Sequence, residues 1–385
     1  MSTIASLNET VFDPTLSAQE AEGRVAGNLL RPDSERRRGR GAGLNMAGRF
    51  EFRTREVFDD GWNSLDGLPA FKTDVQVEKP RTIITRNDSP DISFDRSINP
   101  YRGCEHGCVY CFARPSHGYM GLSAGLDFES KLFAKPNAAQ LLERELSRPS
   151  YKVQPIAIGT NTDPYQPVEK EWRIMRQLLE VLEAANHPVG IVTKSALVMR
   201  DIDILSRMAD KGLARVALSI TTIDRKLARA MEPRAATPSR RLETVRALSD
   251  VGIPVSVMAA PMIPGLNDHE LERILDSAKA AGATSAGYIM LRLPHEVSPL
   301  FREWLLRHYP DRYRHVMSLI RSMRGGKDYD ADFNKRMRGT GPYAWQIARR
   351  FEMVAERLEL KRRKAPMRLD LFTPPKGEGV QLSLL

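Results

Sequence analysis

Cysteine is scarce in this chain. Of 385 residues only three are cysteine, Cys104, Cys108 and Cys111, and all lie within one stretch of eight. An odd number of cysteines confined to one stretch excludes a disulfide framework, which needs pairs spread along the chain. Close thiols in a reducing compartment read instead as a metal site. Long apolar runs are also missing. The most apolar stretch, 251–263, is short and holds Pro254 and Pro261, so no segment is suited to span a bilayer as a helix. The first residues, MSTIASLNETVFDP, lack the basic start and apolar centre of a secretory signal. The expectation is a cytoplasmic protein with no membrane association. Finally, no GxGxxG or Walker-type loop follows any apolar run, which weighs against a Rossmann or P-loop nucleotide site.

Charge of one sign is in excess, and it is localised. The net charge is +10, and residues 302–364 hold 17 Lys/Arg against 8 Asp/Glu. Trp304, Tyr309, Tyr313, Tyr329, Phe333, Tyr343 and Trp345 are interleaved with those cations. Cations with stacking aromatics suit nucleic acid; a helical cap with buried aromatics and solvated charges has the same composition. A second basic run, RPDSERRRGRGAG with Arg36, Arg37, Arg38 and Arg40, reads as a solvated flexible segment within a polar, poorly periodic N-terminal stretch.

From about residue 90 the pattern becomes regular. Apolar runs at 92–98, 155–159, 189–194, 214–221, 253–261 and 285–293 read as strands. Helical periodicity falls between them at 138–146, 171–185, 201–211, 238–251 and 268–281. Thr237 followed by Pro238 starts one helix as N-cap and first residue; Asn267 with Glu270 has the capping-box spacing for another. The strands are apolar throughout rather than alternating, so both faces are expected to be covered, as in a parallel sheet flanked by helices. The fold class is α/β, a partial (β/α)6 barrel with a polar N-terminal and a basic helical C-terminal extension. The expected segments are 1–88, a barrel at 89–296 with its cluster loop at 101–118, helices at 297–364 broken near 324–326 and 339–341, and a flexible tail at 365–385.

In such barrels chemistry sits at the C-terminal strand ends, and there the cysteine loop NPYRGCEHGCVYCFARPSH appears, with spacing Cys-x3-Cys-x2-Cys. Thiolates are the usual ligands of iron–sulfur clusters. A [4Fe–4S] cube has four irons and this loop offers three thiols, which leaves one iron open for a small molecule. A zinc site of three thiols with His106 or His117 is the competing reading.

The spacing, with Tyr110 just before the last cysteine, resembles that of radical S-adenosylmethionine (SAM) enzymes. The resemblance covers about 90–295. It implies a [4Fe–4S] cluster on Cys104, Cys108 and Cys111, SAM chelated to the open iron, and reductive cleavage to a 5′-deoxyadenosyl radical. It also implies SAM contacts. Thr160, Asn161 and Asp163 in GTNTDPYQPVE follow the second strand, with Asp163 for the ammonium group. Lys194 for the carboxylate and Ser195 follow the third, and Ser219 and Thr221 the fourth. Pro261, Pro264 and Gly265 offer backbone near adenine. The segments GTNTDPYQPVE, IVTKS, LSITT and EPRAATPSRRL resemble the branch related to spore photoproduct lyase, which repairs a DNA lesion and returns a hydrogen from a further cysteine. No fourth cysteine exists here, so Tyr165 or Tyr288 is the candidate donor.

The expected function is thus SAM cleavage by a radical enzyme acting on nucleic acid, with DNA repair as the candidate setting. The alternatives are a radical SAM enzyme modifying a protein or small molecule, or a non-enzymatic zinc or iron–sulfur protein. Expected partners are a low-potential flavodoxin or ferredoxin, DNA or RNA, and the sliding clamp through Gln381 to Leu385 (QLSLL); Leu369-Asp370-Leu371-Phe372 is a weaker copy of that tail motif.

Overall fold

The computed structural model describes residues 38–47, 49–50, 71–360 and 366–375. In chain order the strands and helices are β1 (Asp74–Val77), β2 (Thr85–Arg86), β3 (Arg96–Ile98), β4 (Tyr101–Arg102), α1 (Leu126–Ser130), β5 (Lys131–Ala134), α2 (Ala138–Leu146), β6 (Ile156–Ile158), α3 (Glu169–Trp172), α4 (Ile174–Ala184), β7 (Val189–Thr193), α5 (Ile202–Asp210), β8 (Ala214–Ser219), α6 (Arg225–Met231), α7 (Pro238–Asp250), β9 (Val255–Met262), α8 (Leu271–Ala280), β10 (Ser285–Met290), α9 (Val297–His308), α10 (Tyr313–Ser322) and α11 (Gly341–Arg357).

All six expected strands are present, and they lie side by side in chain order as β3-β6-β7-β8-β9-β10. Every neighbouring pair among them is parallel. Helical crossovers force this arrangement, because a parallel neighbour cannot be reached by a tight turn. The sheet does not close: β10 is one edge, and β2 pairs antiparallel with β3 at the other. The barrel is therefore partial. Ile174, Leu178, Leu179 and Leu182 of α4 are buried against the sheet, as are Ile158, Ile191, Leu218 and Val257 of its strands. Among the described residues no helix is long and apolar enough to cross a membrane.

Several local expectations change. Helix 171–185 is split, because the buried Glu169 carboxylate accepts from the Ile174 and Met175 N–H groups (3.1 and 3.0 Å) and starts a new helix after Arg173 at φ 50°. Thr237 caps α7 as the pattern predicts, its hydroxyl accepting from Arg240 N–H. Asn267 does not cap α8. Its amide instead donates to Thr221 and Pro261 carbonyls and accepts from Ile263 N–H, while Glu270 accepts from Thr222 and Ile223. Short-range capping grammar is overridden there by a loop that must be tied between two strands. Residues 92–95 stay outside β3. A second sheet of order β1-β5-β4 frames the cysteine loop and had no signature in the sequence pattern.

The basic C-terminal region divides. Trp304 is fully buried in an apolar cluster with Phe301 and Leu305, its indole donating to Ala230 O at 2.9 Å. Phe333 and Trp345 stand 51% and 69% exposed, so only part of the aromatic set faces solvent. In the weaker tail motif Leu371 and Phe372 are half-buried against the core, and the Phe372 ring lies 5.4 Å from that of His187 and 5.7 Å from that of Tyr151. Gln381 to Leu385, Arg36 and Arg37 lie outside the described residues.

His187 is fully buried, bonded to Tyr151 Oη (2.7 Å) and the Pro188 carbonyl (3.0 Å), and burial lowers its pKa to about 4. The unfolded chain takes up the proton near pH 6.5 while the folded ring refuses it. Stability linked to this ring is therefore full above about pH 6.5 and falls as pH drops toward 4, by on the order of 3 kcal/mol. Urea unfolding of His187→Gln should show a shallower decline over that interval; identical slopes in both proteins would refute the assignment.

Candidate active site around the three cysteines

Because the six strands are parallel, their C-terminal ends open on one face. Onto that face come the cysteine loop after β3 and β4, 159–163 after β6, 194–195 after β7, 219–222 after β8, 263–265 after β9 and 291–293 after β10. The three thiols are unpaired; Cys104 and Cys108 are buried and Cys111 is half-buried. Burial pushes the Cys104 thiol well up, and lifts that of Cys108 to about 12 against the lowering influence of Lys194. Without a metal these sulfurs stay protonated; a bound metal's charge is what makes them thiolates.

The loop is held from several sides. Gly103 and Gly107 take φ of 74° and 67°, a left-handed region that a side chain would strain. Gln166 accepts from Glu105 N–H (2.8 Å) and donates to Gly103 O (3.1 Å). Arg114, fully buried, reaches Cys108 O (2.9 Å), Ala124 O (3.0 Å) and Gly125 O (2.9 Å) and pairs with the buried Glu129. Glu129 in turn accepts from the N–H groups of Gly41 and Ala42 at 2.9 and 2.8 Å, and Arg40 donates to Glu129 O. The reading of the basic run as a solvated flexible segment therefore fails for Arg40 to Leu44. There the chain straps across the loop so closely that a Cβ on Gly41 would sit 1.8 Å from Gly107 O. The cause is the buried Glu129 carboxylate, which needs donors that only a distant backbone supplies.

Both histidines near the thiols have other partners. His106 Nδ1 faces Asp163 at 3.4 Å and His117 Nε2 bonds the Lys131 carbonyl at 2.9 Å. Among the described residues no three His, Cys, Asp or Glu side chains converge as the shell of one ion. A zinc site needs such convergence, whereas a cluster takes each thiolate on a different iron. Three free thiols on one pinned loop are the donor set that such a cluster takes.

Behind the loop lies a buried polar group that sequence reading named only in part. Tyr110 Oη bonds Thr221 Oγ1 (3.1 Å) and Glu232; Thr221 Oγ1 lies 2.7 Å from Glu232 and 3.0 Å from Ala260 O, its single proton going to one of the two. Arg241 pairs with Glu232 and bonds the Ser219 carbonyl (2.9 Å). Lys194 Nζ stands 5.8 Å from the Tyr110 ring centroid. Burial alone would raise the Glu232 pKa, but the charges of Arg241 and Lys194 and the bonds from Arg241 and Tyr110 hold it near 2. Glu232 and Arg241 fall in the segment EPRAATPSRRL; the signal was in the sequence, but nothing local gave those residues a role.

Asp163 accepts from Tyr165 N–H (2.9 Å), Thr193 Oγ1 (2.7 Å) and Lys194 N–H (2.7 Å), besides facing His106. Burial opposes ionisation, yet His106 and these donors hold its pKa near 2. Its acceptor capacity is thus taken up by the protein. Thr160 and the Asn161 N–H are tied to Asn99 (3.5 and 3.1 Å), and Ser195 Oγ caps Leu197 N–H at 3.2 Å. Pro261, Pro264 and Gly265 lie on β9 and the loop after it, which Asn267 and Asp268 tie. Tyr165 is fully buried and donates to Asp201 at 3.0 Å, whereas Tyr288, on β10, packs against Phe351.

A family model for the radical SAM superfamily matches residues 98–278. The chain is 37% identical over 230 residues to an uncharacterized protein of Mycobacterium tuberculosis, covering 58% of this chain and 68% of that one. It is 27% identical over 221 residues to an uncharacterized protein of Methanocaldococcus jannaschii, covering 56% and 77%. Among solved structures, spore photoproduct lyase complexed with dinucleoside spore photoproduct superposes with a TM-score of 0.54 at 16% identity, covering 74% of this chain and 79% of that one. The chain belongs to the radical SAM superfamily, whose members use SAM and a [4Fe–4S] cluster, and it is a radical SAM enzyme. Within that superfamily its fold is that of the spore photoproduct lyase-like branch.

Removing one partner of a buried ion pair strands the other. Glu232→Gln should therefore cost about 3–5 kcal/mol in chemical denaturation of the cluster-loaded protein. The Glu232 pKa is depressed in the fold, so this contribution is present above about pH 4.5 and lost as pH falls toward 2. An unchanged midpoint would mean that Arg241 is satisfied without Glu232.

Proposed function

We propose that Cys104, Cys108 and Cys111 carry the cluster, that SAM binds beside it against the ends of β6, β7 and β8, and that the substrate is nucleic acid. The observation that carries the first part is the ligand count. Three thiols share one pinned loop and both neighbouring histidines are engaged elsewhere, so one iron of a four-iron cluster stays free. When bound, cluster and SAM supply the 5′-deoxyadenosyl radical that abstracts hydrogen. Lys194, kept cationic beside Glu232 and Cys108, suits the SAM carboxylate. Asp163 fixes the backbone of Lys194 and the hydroxyl of Thr193, so it acts on SAM by placing these residues. Thr160, Asn161, Ser195, Ser219 and Thr221 border the same space, and Tyr110 walls it beneath Lys194.

Nucleic acid as substrate is supported by a cation–aromatic pair on the exposed side. Arg292 lies 4.9 Å from the ring of Phe112, which directly follows the last cysteine and is 44% exposed. The dinucleoside lesion named with the structurally similar lyase is a substrate of the same class. The chain has no fourth cysteine, so hydrogen return differs from that lyase, and Tyr288 on the edge strand β10 is the donor we favour over Tyr165, whose hydroxyl is engaged by Asp201. A low-potential flavodoxin or ferredoxin delivers the electron, and Gln381 to Leu385 docks on the sliding clamp in a DNA-repair setting.

Anaerobic reconstitution should give a brown protein with about four irons per chain that yields 5′-deoxyadenosine from SAM on reduction. Cys104→Ala, Cys108→Ala and Cys111→Ala should each abolish that yield; cleavage retained in any one removes that cysteine from the ligand set. Asp163→Ala should retain iron but bind SAM more weakly, as read by equilibrium dialysis; unchanged affinity would reject its placing role. Deuterated DNA or RNA should pass label into 5′-deoxyadenosine. Label arriving instead from a peptide or small molecule would move the enzyme to the second reading.

A further inference from the structure

At the end of β10, on the same face as the cysteine loop, Arg292 and Arg324 stand near each other with no carboxylate of the described residues within ion-pair distance of either, and Arg338 flanks Tyr288 of the same strand. Arg292 donates only to soft or neutral partners, Met337 Sδ at 3.7 Å and Tyr329 Oη at 3.4 Å, and its Cζ lies 4.9 Å from the Phe112 ring centroid. Arg324, 2% exposed, donates to the carbonyls of Lys335 (2.7 Å) and Leu291 (2.9 Å). Each leaves its Nε–H buried with no acceptor. Arg338, exposed at the rim, sits 5.5 Å from the Tyr288 ring centroid. Met290 N–H bonds Met337 O at 2.9 Å and so brings residues 337–338 to the strand end.

The acidic groups nearby have closer partners, and Asp91 acts on Arg292 and Asp330 on Arg324 only from beyond ion-pair distance. Asp91 is taken by Arg336 and by Asn334 N–H, Asp328 by Arg302, Arg321 and Ser298, and Asp330 accepts from Asp332 N–H. Among the described residues no carboxylate lies within ion-pair distance of Arg292, Arg324 or Arg338. Burial lowers the Arg324 pKa, Tyr329 and Asp330 oppose that fall, and the charge of Arg292 adds to it. Two guanidiniums that repel each other, each with an orphaned buried donor, cost free energy unless an anion joins them.

We propose that Arg292 and Arg324, with Arg338 at the rim, form a phosphate-binding site that holds one backbone phosphodiester of the substrate strand beside the cluster loop. Arginine's planar fork matches phosphate oxygens, and its charge does not depend on pH in the physiological range. The flanking ring of Phe112, 44% exposed, distinguishes this from a site for a bare anion, because it offers an adjoining base a face to stack on. The last barrel strand thereby fixes the register of the strand, and the radical chemistry of the neighbouring loop acts on the nucleotide so placed. The inference rests on the nucleic-acid reading above and adds to it a named contact.

The test uses the cluster-loaded full chain and a fluorescent single-stranded DNA oligonucleotide, with anisotropy titrated across NaCl concentrations. Arg292→Gln should weaken binding about tenfold for every sequence and flatten the plot of log affinity against log salt by about one phosphate's share, a slope change of ~0.7. Arg292→Lys should restore most of the slope but not the full affinity. Arg338→Gln, at an exposed position that cannot unfold the chain, should also flatten the slope. Arg357→Gln, an exposed charge paired with Asp276 on α11, should not. SAM affinity is measured in parallel. Wild-type binding with no salt dependence overturns the nucleic-acid reading itself. Wild-type binding that Arg292→Gln and Arg338→Gln leave intact overturns only this site. Loss of SAM affinity with intact oligonucleotide binding would reassign Arg292 to the SAM carboxylate and likewise overturn the proposal.

Discussion

The ion pair between Arg114 and Glu129 holds together the parts of the molecule that surround the thiols. Both residues are fully buried, and an isolated buried charge costs several kcal/mol. The cost is met because each group satisfies several backbone groups at once. Arg114 gathers the carbonyls of Cys108, Ala124 and Gly125; Glu129 gathers the amides of Gly41 and Ala42. One pair thereby joins the cysteine loop, the turn before α1 and the N-terminal strap. A loop rich in left-handed glycine has little conformational preference of its own, and this pair supplies the rigidity that holds the three sulfurs in place.

A second charge group works on the opposite side of the loop. Glu232, Arg241, Tyr110, Thr221 and Lys194 form a buried set in which the Glu232 carboxylate is shared by three of the others. This arrangement places a cation, Lys194, next to the loop while keeping the region near Cys108 from being uniformly positive. Asp163 performs the equivalent task one strand over, tying His106 of the loop to the backbone after β7. The site is thus lined by groups whose partners are already chosen. Such preorganisation favours binding a charged cofactor without rearrangement at the moment of reaction.

The face beyond the thiols is built differently. Around β10 the arginines are not matched by carboxylates, and the sheet edge is open rather than closed into a full barrel. An open edge gives an extended substrate lateral access that a closed barrel denies. The charge localised in residues 302–364 is partly spent on internal pairs such as Arg350 with Glu272 and Arg336 with Asp91. The positive charge left near the cysteine loop is therefore smaller than the gross excess.

The sequence by itself determined the six parallel strands, the cysteine set and the strand-end segments. Apolar runs and their spacing depend on local burial, and the Cys-x3-Cys-x2-Cys motif depends on contiguous residues, so both are written along the chain. It did not determine the strap at Arg40 to Leu44, the β1-β5-β4 sheet, the break before Ile174, the loop role of Asn267 or the partners of Glu232, Arg241 and Asp163. Most of these rest on a polar group whose partner is tens of residues away, and even the near ones, Glu169 with Ile174 and Glu232 with Arg241, follow no capping or pairing pattern that the local sequence records. The three lone arginines at the end of β10 belong with them. Seventeen cations in 302–364 were legible, Arg324 and Arg338 among them and Arg292 just before the stretch, but only the tertiary structure decided which of them found an anion within ion-pair distance, because pairing depends on through-space distance.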